Sequence, residues 1–460
     1  MANISLQGFQ PELVNIIQDR TLERVFHDAL FPRLLFRSEA IPEKWQANIG
    51  ERMVFTRAGL LPVDTTPLTP GTDPTPETYA LEQWAAEACQ QGKTIDTHMP
   101  TSRTALAPKV LRDAQQLGLQ SGQTMNRLCR NALYRAYLGG NGVVIAAAPI
   151  AANLIRVASL NGFSETLFQN APVPVSSASP LPISFPGTAE PDKNVIGANP
   201  DNVNDPYGPG TLLLDSPLTV GLAARDAVLT QNRSVIRRVG GGNSVDAISG
   251  SDIITLNDVI AAVSIMRSNN VPPHADGKYH VHMSPEAVAQ LFQDNHWQRL
   301  HQSLPDSAAY RDLSIGEAVR CFFYENTENP NLLNSGLQTS TGTQAVVSGE
   351  IGGELRNEGG VAVGRVLVTG GGALYEKYID ESEYMSEAGT TGKIGQFVIV
   401  NNGVQVMTNR IRYIMRAPLD RLQQVIAQSW SWSGDFPVPS DGLSGGAARF
   451  KRAVVIEHAI

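Results

Sequence analysis

Apolar residues recur at three- and four-residue steps over two stretches and at two-residue steps over many more, which predicts a mixed helix and strand chain. Over 11–31, Leu13, Ile16, Ile17, Leu22, Val25, Phe26 and Leu30 form a helical stripe between Pro11 and Pro32. The longest stripe covers 103–138: Ala107, Val110, Leu111, Ala114, Leu117, Ser121, Met125, Leu128, Cys129, Ala132 and Ala136, with Gly139-Gly140-Asn141 as the stop. A helix of that length spans roughly 50 Å. Gly118 and Gly122 are expected to bend it, because glycine weakens a helix interior. Thr255 with Asp258 predicts a capped helix over 255–268, and Ser284-Pro285-Glu286 predicts the start of another. Between them Tyr279 to Met283 reads as a strand, as does Arg320 to Glu325. From 360 onward strands dominate: Val361 to Thr369, Phe397 to Val400, Val404 to Met407, Arg410 to Met415, Val425 to Trp432 and Arg449 to Glu457.

Two regions break this rhythm. Arg52 to Arg57 and Tyr79 to His98 are strand-like runs joined by a tip holding Pro62, Pro67, Pro70, Pro74 and Pro76 among threonines. They predict a β-hairpin arm whose tip cannot bury much of its own surface, so a neighbouring subunit is expected to cover it. Residues 142–250 are punctuated by proline between short β-prone runs such as Leu181 to Phe185, Thr211 to Leu214 and Arg233 to Val239, and close on Gly240 to Gly242. That predicts a β-rich insertion with Gly-rich joints.

Composition narrows the function classes. With 460 residues and 42% hydrophobic content the chain can bury a large core. Charged residues are 17% and the net charge is −8. A free nucleic-acid binder would carry a basic stripe; a wall enclosing nucleic acid without gripping it and an ordinary acidic soluble protein fit this charge equally well. The three cysteines, Cys89, Cys129 and Cys321, form no CxxC pair, so neither a disulfide framework nor a zinc knuckle is expected. Met1 to Gln10 has no basic start or apolar run, and no stretch approaches the length of a membrane span. The protein is expected to be made in a cytoplasm, without a membrane partner.

The search for chemistry yields no catalytic, cofactor or metal residues. Gly92-Lys93-Thr94 lacks the preceding P-loop glycine, since Glu87 stands there. Gly442-Leu443-Ser444-Gly445-Gly446 matches G-x-S-x-G, but a proline-rich segment precedes it and only the adjacent Glu457 and His458 follow it. His280 and His282, with His274 or Asp276, form the best metal candidate. A turn at Asp276-Gly277 leading into a strand with partly buried histidines is the favoured reading. Trp430 and Trp432 alternate onto one strand face and are expected in the core. An enzyme is not expected.

The order of elements, and the stretches Thr94 to Met99, Arg127 to Asn141, Asn269 to His274 and Arg416 to Asp420, resemble the podovirus-type branch of the tailed-bacteriophage major capsid proteins with the Hong Kong 97 fold. The resemblance spans most of the chain. It implies an α+β fold: an N-terminal arm over 1–45, an extended β-hairpin loop over 46–100 and a peripheral-domain spine helix over 101–149. A β-rich insertion domain over 150–245, an axial domain over 246–375 and peripheral C-terminal strands over 376–460 would follow. It implies a structural protein assembling as hexamers and pentamers into an icosahedral shell around double-stranded DNA, without sequence-specific binding. A portal protein, a separate scaffolding protein and decoration proteins would be its partners in the virion. Some members crosslink a lysine of the extended loop to a neighbour's asparagine. Lys93 is the lysine available here, without a recognisable motif around it. The alternatives are a β-rich hydrolase or carbohydrate-binding protein resting on 150–245 and Ser444, and a cellular nanocompartment shell of the same fold.

Overall fold

The computed structural model describes residues 13–14, 17, 19–30, 35–45, 52–58, 65, 67, 71, 73, 76–77, 81–98, 106–168, 171–203, 206–231, 233–302, 316–329, 338–339, 342–343, 355–356, 361–381, 390–394, 397–400, 403–418, 421–422, 424–439 and 452–460. The chain is α+β and divides into two compact units.

The first unit comprises Met1–Met53, Ala86–Cys129 and Leu374–Pro437. Its sheet runs in the order Ala40–Lys44, Leu374–Tyr378, Val425–Asp435, Ile411–Arg416, Gly403–Thr408, Phe397–Val400, Thr390–Ile394, with Cys89–His98 also paired to Val425–Asp435. Period-two alternation fixes one buried face: Val404 and Val406, then Ile411, Tyr413 and Met415, then Ile426, Trp430 and Trp432. Both tryptophans are core residues, as their spacing predicted. Their N–H groups stay bonded, Trp430 Nε1 to Gln120 Oε1 (2.6 Å) and Trp432 Nε1 to Glu376 Oε1 (3.3 Å).

The helix expected over 11–31 is interrupted. Leu13, Val14 and Ile17 are helical, Asp19 and Arg20 turn, and Thr21–Leu30 resumes. Arg20 adopts φ +57° while its N–H closes on Ile17 O (3.2 Å), which caps the first segment in left-handed geometry. Leu22, Phe26 and Leu30 are fully buried, and the Phe26 ring lies 4.9 Å from that of Tyr413.

The long helix is Leu106–Leu138, 33 residues. Gly118 has a packing role. A Cβ there would lie 2.6 Å from Phe26 O and 2.9 Å from Ala29 Cβ, so glycine permits close approach of the shorter helix. Gly118→Ala, favourable by helix propensity, is therefore expected to destabilise the chain by about 1–3 kcal/mol through overpacking. A thermal melt of the variant checks the sign; an unchanged or raised midpoint would refute the close-packing account.

The second unit comprises Val54–Ala85, Arg130–Ala373 and Val438–Ile460. One sheet runs Ile236–Arg238, Ala453–Ala459, Ala362–Thr369, Tyr279–Met283, Cys321–Glu325, Glu317–Ala318, with Leu355–Arg356 also on Ala362–Thr369. Ala453–Ala459 is buried at every position, as an inner strand covered on both faces must be. The late strands are therefore not one body: those over 390–435 build the first unit's sheet, and the last strand returns to this one. Similarly, the run at 233–239 leaves the β-rich block, because Ile236–Arg238 pairs in parallel with Val455 to Glu457. Helices Leu256–Ser268 and Pro285–Gln293 supply Val259, Val263, Met266, Val288 and Leu291 to this core. Both starts follow their sequence markers. Asp258 accepts from Thr255 N–H (3.2 Å) and Thr255 Oγ1 (2.7 Å), and Ser284 Oγ accepts from Ala287 N–H (3.3 Å).

The β-rich block is a six-stranded antiparallel sheet in the order Asn141–Val143, Ala227–Thr230, Leu181–Ser184, Lys193–Pro200, Gly210–Leu214, Leu154–Val157. It has its own core of Val144, Ile155, Phe163, Leu181, Val195, Leu212 and Val228. Buried Glu190 accepts from Thr219 N–H (3.0 Å) and Val220 N–H and lies 3.5 Å from Lys193 Nζ, tying a loop to this sheet. Burial opposes ionisation of Glu190, but those backbone donors outweigh it and hold its carboxyl below the usual range.

Candidate self-association surface

The arm is built from Arg52–Ala58 paired with Leu81–Glu87. The run expected to continue unbroken from Tyr79 to His98 divides in two. Leu81–Glu87 stays in the two-stranded arm, whereas Cys89–His98 joins the first unit's sheet in a ten-residue register opposite Val425 to Gly434. Within the arm, Phe55 and Trp84 rings lie 5.8 Å apart, and Arg52 Nε sits 3.8 Å from Glu87 Oε1. Val54 is 54% exposed. Of the proline-rich tip, Thr65, Pro67, Gly71, Asp73, Pro76 and Glu77 are described, and all are exposed. Pro62, Pro70 and Pro74 lie outside the described residues. A two-stranded ribbon on its own is marginal in water.

Cys89–His98 follows in the chain and lies in the first unit's sheet, where among the described residues its strand partner is Val425–Asp435. Most of its side chains are exposed, while Thr97 is buried and donates to Asp113 Oδ2 (2.5 Å). Gly92, Lys93 and Thr94 therefore sit in a strand. Thr94 Oγ1 lies 3.0 Å from Ser429 Oγ, and Lys93 is exposed opposite Trp430. An extended strand cannot form a phosphate-cradling loop.

The histidines settle into aromatic packing within the second unit. His280 Nε2 lies 2.9 Å from Asp276 Oδ2, and the His274 and His280 rings stack at 4.0 Å. His274 Nε2 lies 3.1 Å from Thr369 Oγ1. His282 is fully buried and stacks at 5.1 Å on Tyr324, which His280 meets edge-on at 5.3 Å. His280 and His282 share a strand face, and both pack on Tyr324 of the neighbouring strand. Ser444 falls outside the described residues. Glu457 is engaged by Arg365 and Arg238, and His458 is buried, its pKa lowered by that burial. A buried carboxylate bridged by two guanidiniums cannot serve as the acid of a hydrolytic relay.

Two buried ion clusters lay beyond sequence reasoning. In the first unit Glu376 accepts from Arg37 Nε (3.1 Å) and Nη2 (2.5 Å) and lies 3.1 Å from Arg410 Nη2. In the second, Glu457 accepts from Arg365 Nε (3.0 Å) and Nη2 (2.6 Å) and from Arg238 Nε (2.9 Å). Each carboxylate holds two arginines far apart in sequence, which no local spacing announces.

No protein-family profile matches the chain, and no curated protein matches it. Solved structures do. A capsid structure of cyanophage Pam1 is similar at 10% identity and TM-score 0.46, over 95% of this chain and 93% of that one. The capsid of Ralstonia phage GP4 is similar at 14% identity and TM-score 0.44, over 92% and 90%. That of cyanophage P-SCSP1u is similar at 10% identity and TM-score 0.44, over 93% and 88%. Among the described residues, no helix is long and apolar enough to cross a membrane.

Proposed function

We propose that this chain is the major capsid protein of a tailed bacteriophage, assembling with copies of itself into an icosahedral shell. The observation that carries this reading is the arm: a two-stranded ribbon with an exposed proline-rich tip, followed in the chain by a largely exposed strand. Such a ribbon is marginal on its own, and a surface repeated on identical subunits can bury its counterpart around a closed ring. The helix Leu106–Leu138 suits a rigid strut in such a shell. In this reading 1–45 is the N-terminal arm, 46–100 the extended loop, the sheet from Asn141 to Thr230 an insertion domain and 246–375 the axial domain. Peripheral elements come from 101–149 and 376–435. Hexamers and pentamers, a portal and a separate scaffolding protein complete the assembly, which encloses double-stranded DNA in the virion after synthesis in the host cytoplasm. The role is structural, without catalysis. Weak charge agrees with a wall that encloses DNA without gripping it.

Electron microscopy of the full chain co-expressed with the scaffolding protein of its own gene neighbourhood tests the proposal. Closed shells of uniform diameter are expected. A strictly monomeric product with an ordered arm would sink it.

A further inference from the structure

Next to the Glu457 cluster lies a cavity of about 40 Å³, lined in part by Tyr134, Arg135, Arg238, Ser244, Arg365 and Glu457. Its charge is unbalanced. Three guanidiniums face it against one carboxylate, and Glu457 already spends both oxygens on Arg365 and Arg238. Arg365 is 1% exposed, and its Nη1 is buried with no hydrogen-bond partner among the described residues. Arg135 Nε is likewise buried without one, while its guanidinium lies 4.2 Å over the Tyr207 ring. Burying uncompensated cationic donors costs several kcal/mol unless an anion joins them. Burial accordingly disfavours the charge on Arg365, with Glu457 supporting it and Arg238 opposing it.

The geometry points to a binding site for a small inorganic oxyanion of the phosphate class in this cavity. The volume accommodates about three waters or one tetrahedral anion. Planar guanidinium donors suit an oxyanion, which accepts several N–H groups at once. The anion neutralises the excess charge and joins the end of the long helix (Tyr134, Arg135) to the central strands that carry Arg365 and Glu457. This inference does not depend on the capsid reading, since it concerns the folded chain itself.

Calorimetric titration of inorganic phosphate into the full chain, with thermal melts in parallel, tests it. One phosphate per chain and a saturating rise in melting temperature are expected, with no matching response to sodium chloride at equal ionic strength. Ser244→Asp supplies a carboxylate at the cavity wall and is expected to abolish the phosphate response. Ser244→Asn keeps the local turn chemistry without the charge and should retain it. Arg365→Gln, if it folds, is expected to weaken phosphate binding at least tenfold. Absence of saturable binding, an equal response to chloride, or a Ser244→Asp chain that binds phosphate like the unmodified one would each overturn the inference.

Discussion

Glu457→Gln is expected to destabilise the second unit by about 3–5 kcal/mol, because it removes the single carboxylate between two buried arginines. The substitution keeps size and shape, so the loss reports charge and not a cavity. Arg365 and Glu457 are each 1% exposed and Arg238 is 8% exposed, so bulk water does not reach the guanidiniums left behind, and the small adjoining cavity offers room for a few waters at most. Since a whole domain is stable by only about 5–15 kcal/mol, a loss of this size would leave the unit marginal. Urea denaturation of the unassembled chain, followed by fluorescence, checks it; a shift worth under about 1 kcal/mol would mean that water or another acid takes over the pairing. The acid response provides a second reading. Burial opposes ionisation of Glu457, but the charges of Arg238 and Arg365 outweigh it and hold the carboxyl below the usual range. A carboxylate whose folded pKa is depressed adds stability above its unfolded value, near ~4.3, and loses it as pH falls through the folded value. The unmodified chain should therefore lose stability below about pH 4, and Glu457→Gln should lack that component of the acid response.

Residues whose role follows from local spacing were legible in the sequence. The stripe Val110, Ala114, Leu117, Ser121, Met125 and Cys129 is buried along the long helix as the period requires. Toward its end the burial shifts to Leu133, Tyr134 and Tyr137, in place of Ala132 and Ala136. The tyrosines are buried because their hydroxyls reach backbone acceptors, Tyr137 to Ala373 O at 3.0 Å and Tyr134 to Arg365 O at 3.5 Å. Those acceptors come from a distant strand and turn, and no window of sequence contains them. The same limit hid Arg37, Glu376, Arg410, Arg238, Arg365 and Glu457. Arginine and glutamate usually remain at the surface, and only the folded chain joins positions up to 339 residues apart. Gly118 was legible as a glycine in a helix, but its purpose depends on the backbone of Phe26. The histidine run shows the converse. Its spacing suited a metal, and the packing that the neighbouring strand Cys321–Glu325 brings, with Tyr324 within 5.3 Å of both the His280 and the His282 rings, is not visible in that spacing.

Replacing residues 59–80 with a short Gly/Ser linker is expected to abolish shell formation while leaving the chain folded. The described tip residues are all exposed, and the arm's ring contact, Phe55 with Trp84, lies below the deletion. The described residues of the segment bury little, and the melting temperature is expected to fall by no more than a few degrees, equivalent to roughly 1 kcal/mol. Assembly is different. A stable interface buries on the order of 800 Å² per partner, and a proline-rich tip pays little entropy to become ordered against a neighbour, since each proline already fixes its φ. Removing that area from every subunit removes it from every interface of a closed shell, so the loss is multiplied by symmetry and not confined to one contact. Sedimentation and electron microscopy of the co-expressed variant check this. Small oligomers or monomers with a near-normal melt are the expected outcome. Shells formed at the unmodified yield would show that the arm is dispensable, and the strand Cys89–His98 would then be the surface on which assembly depends.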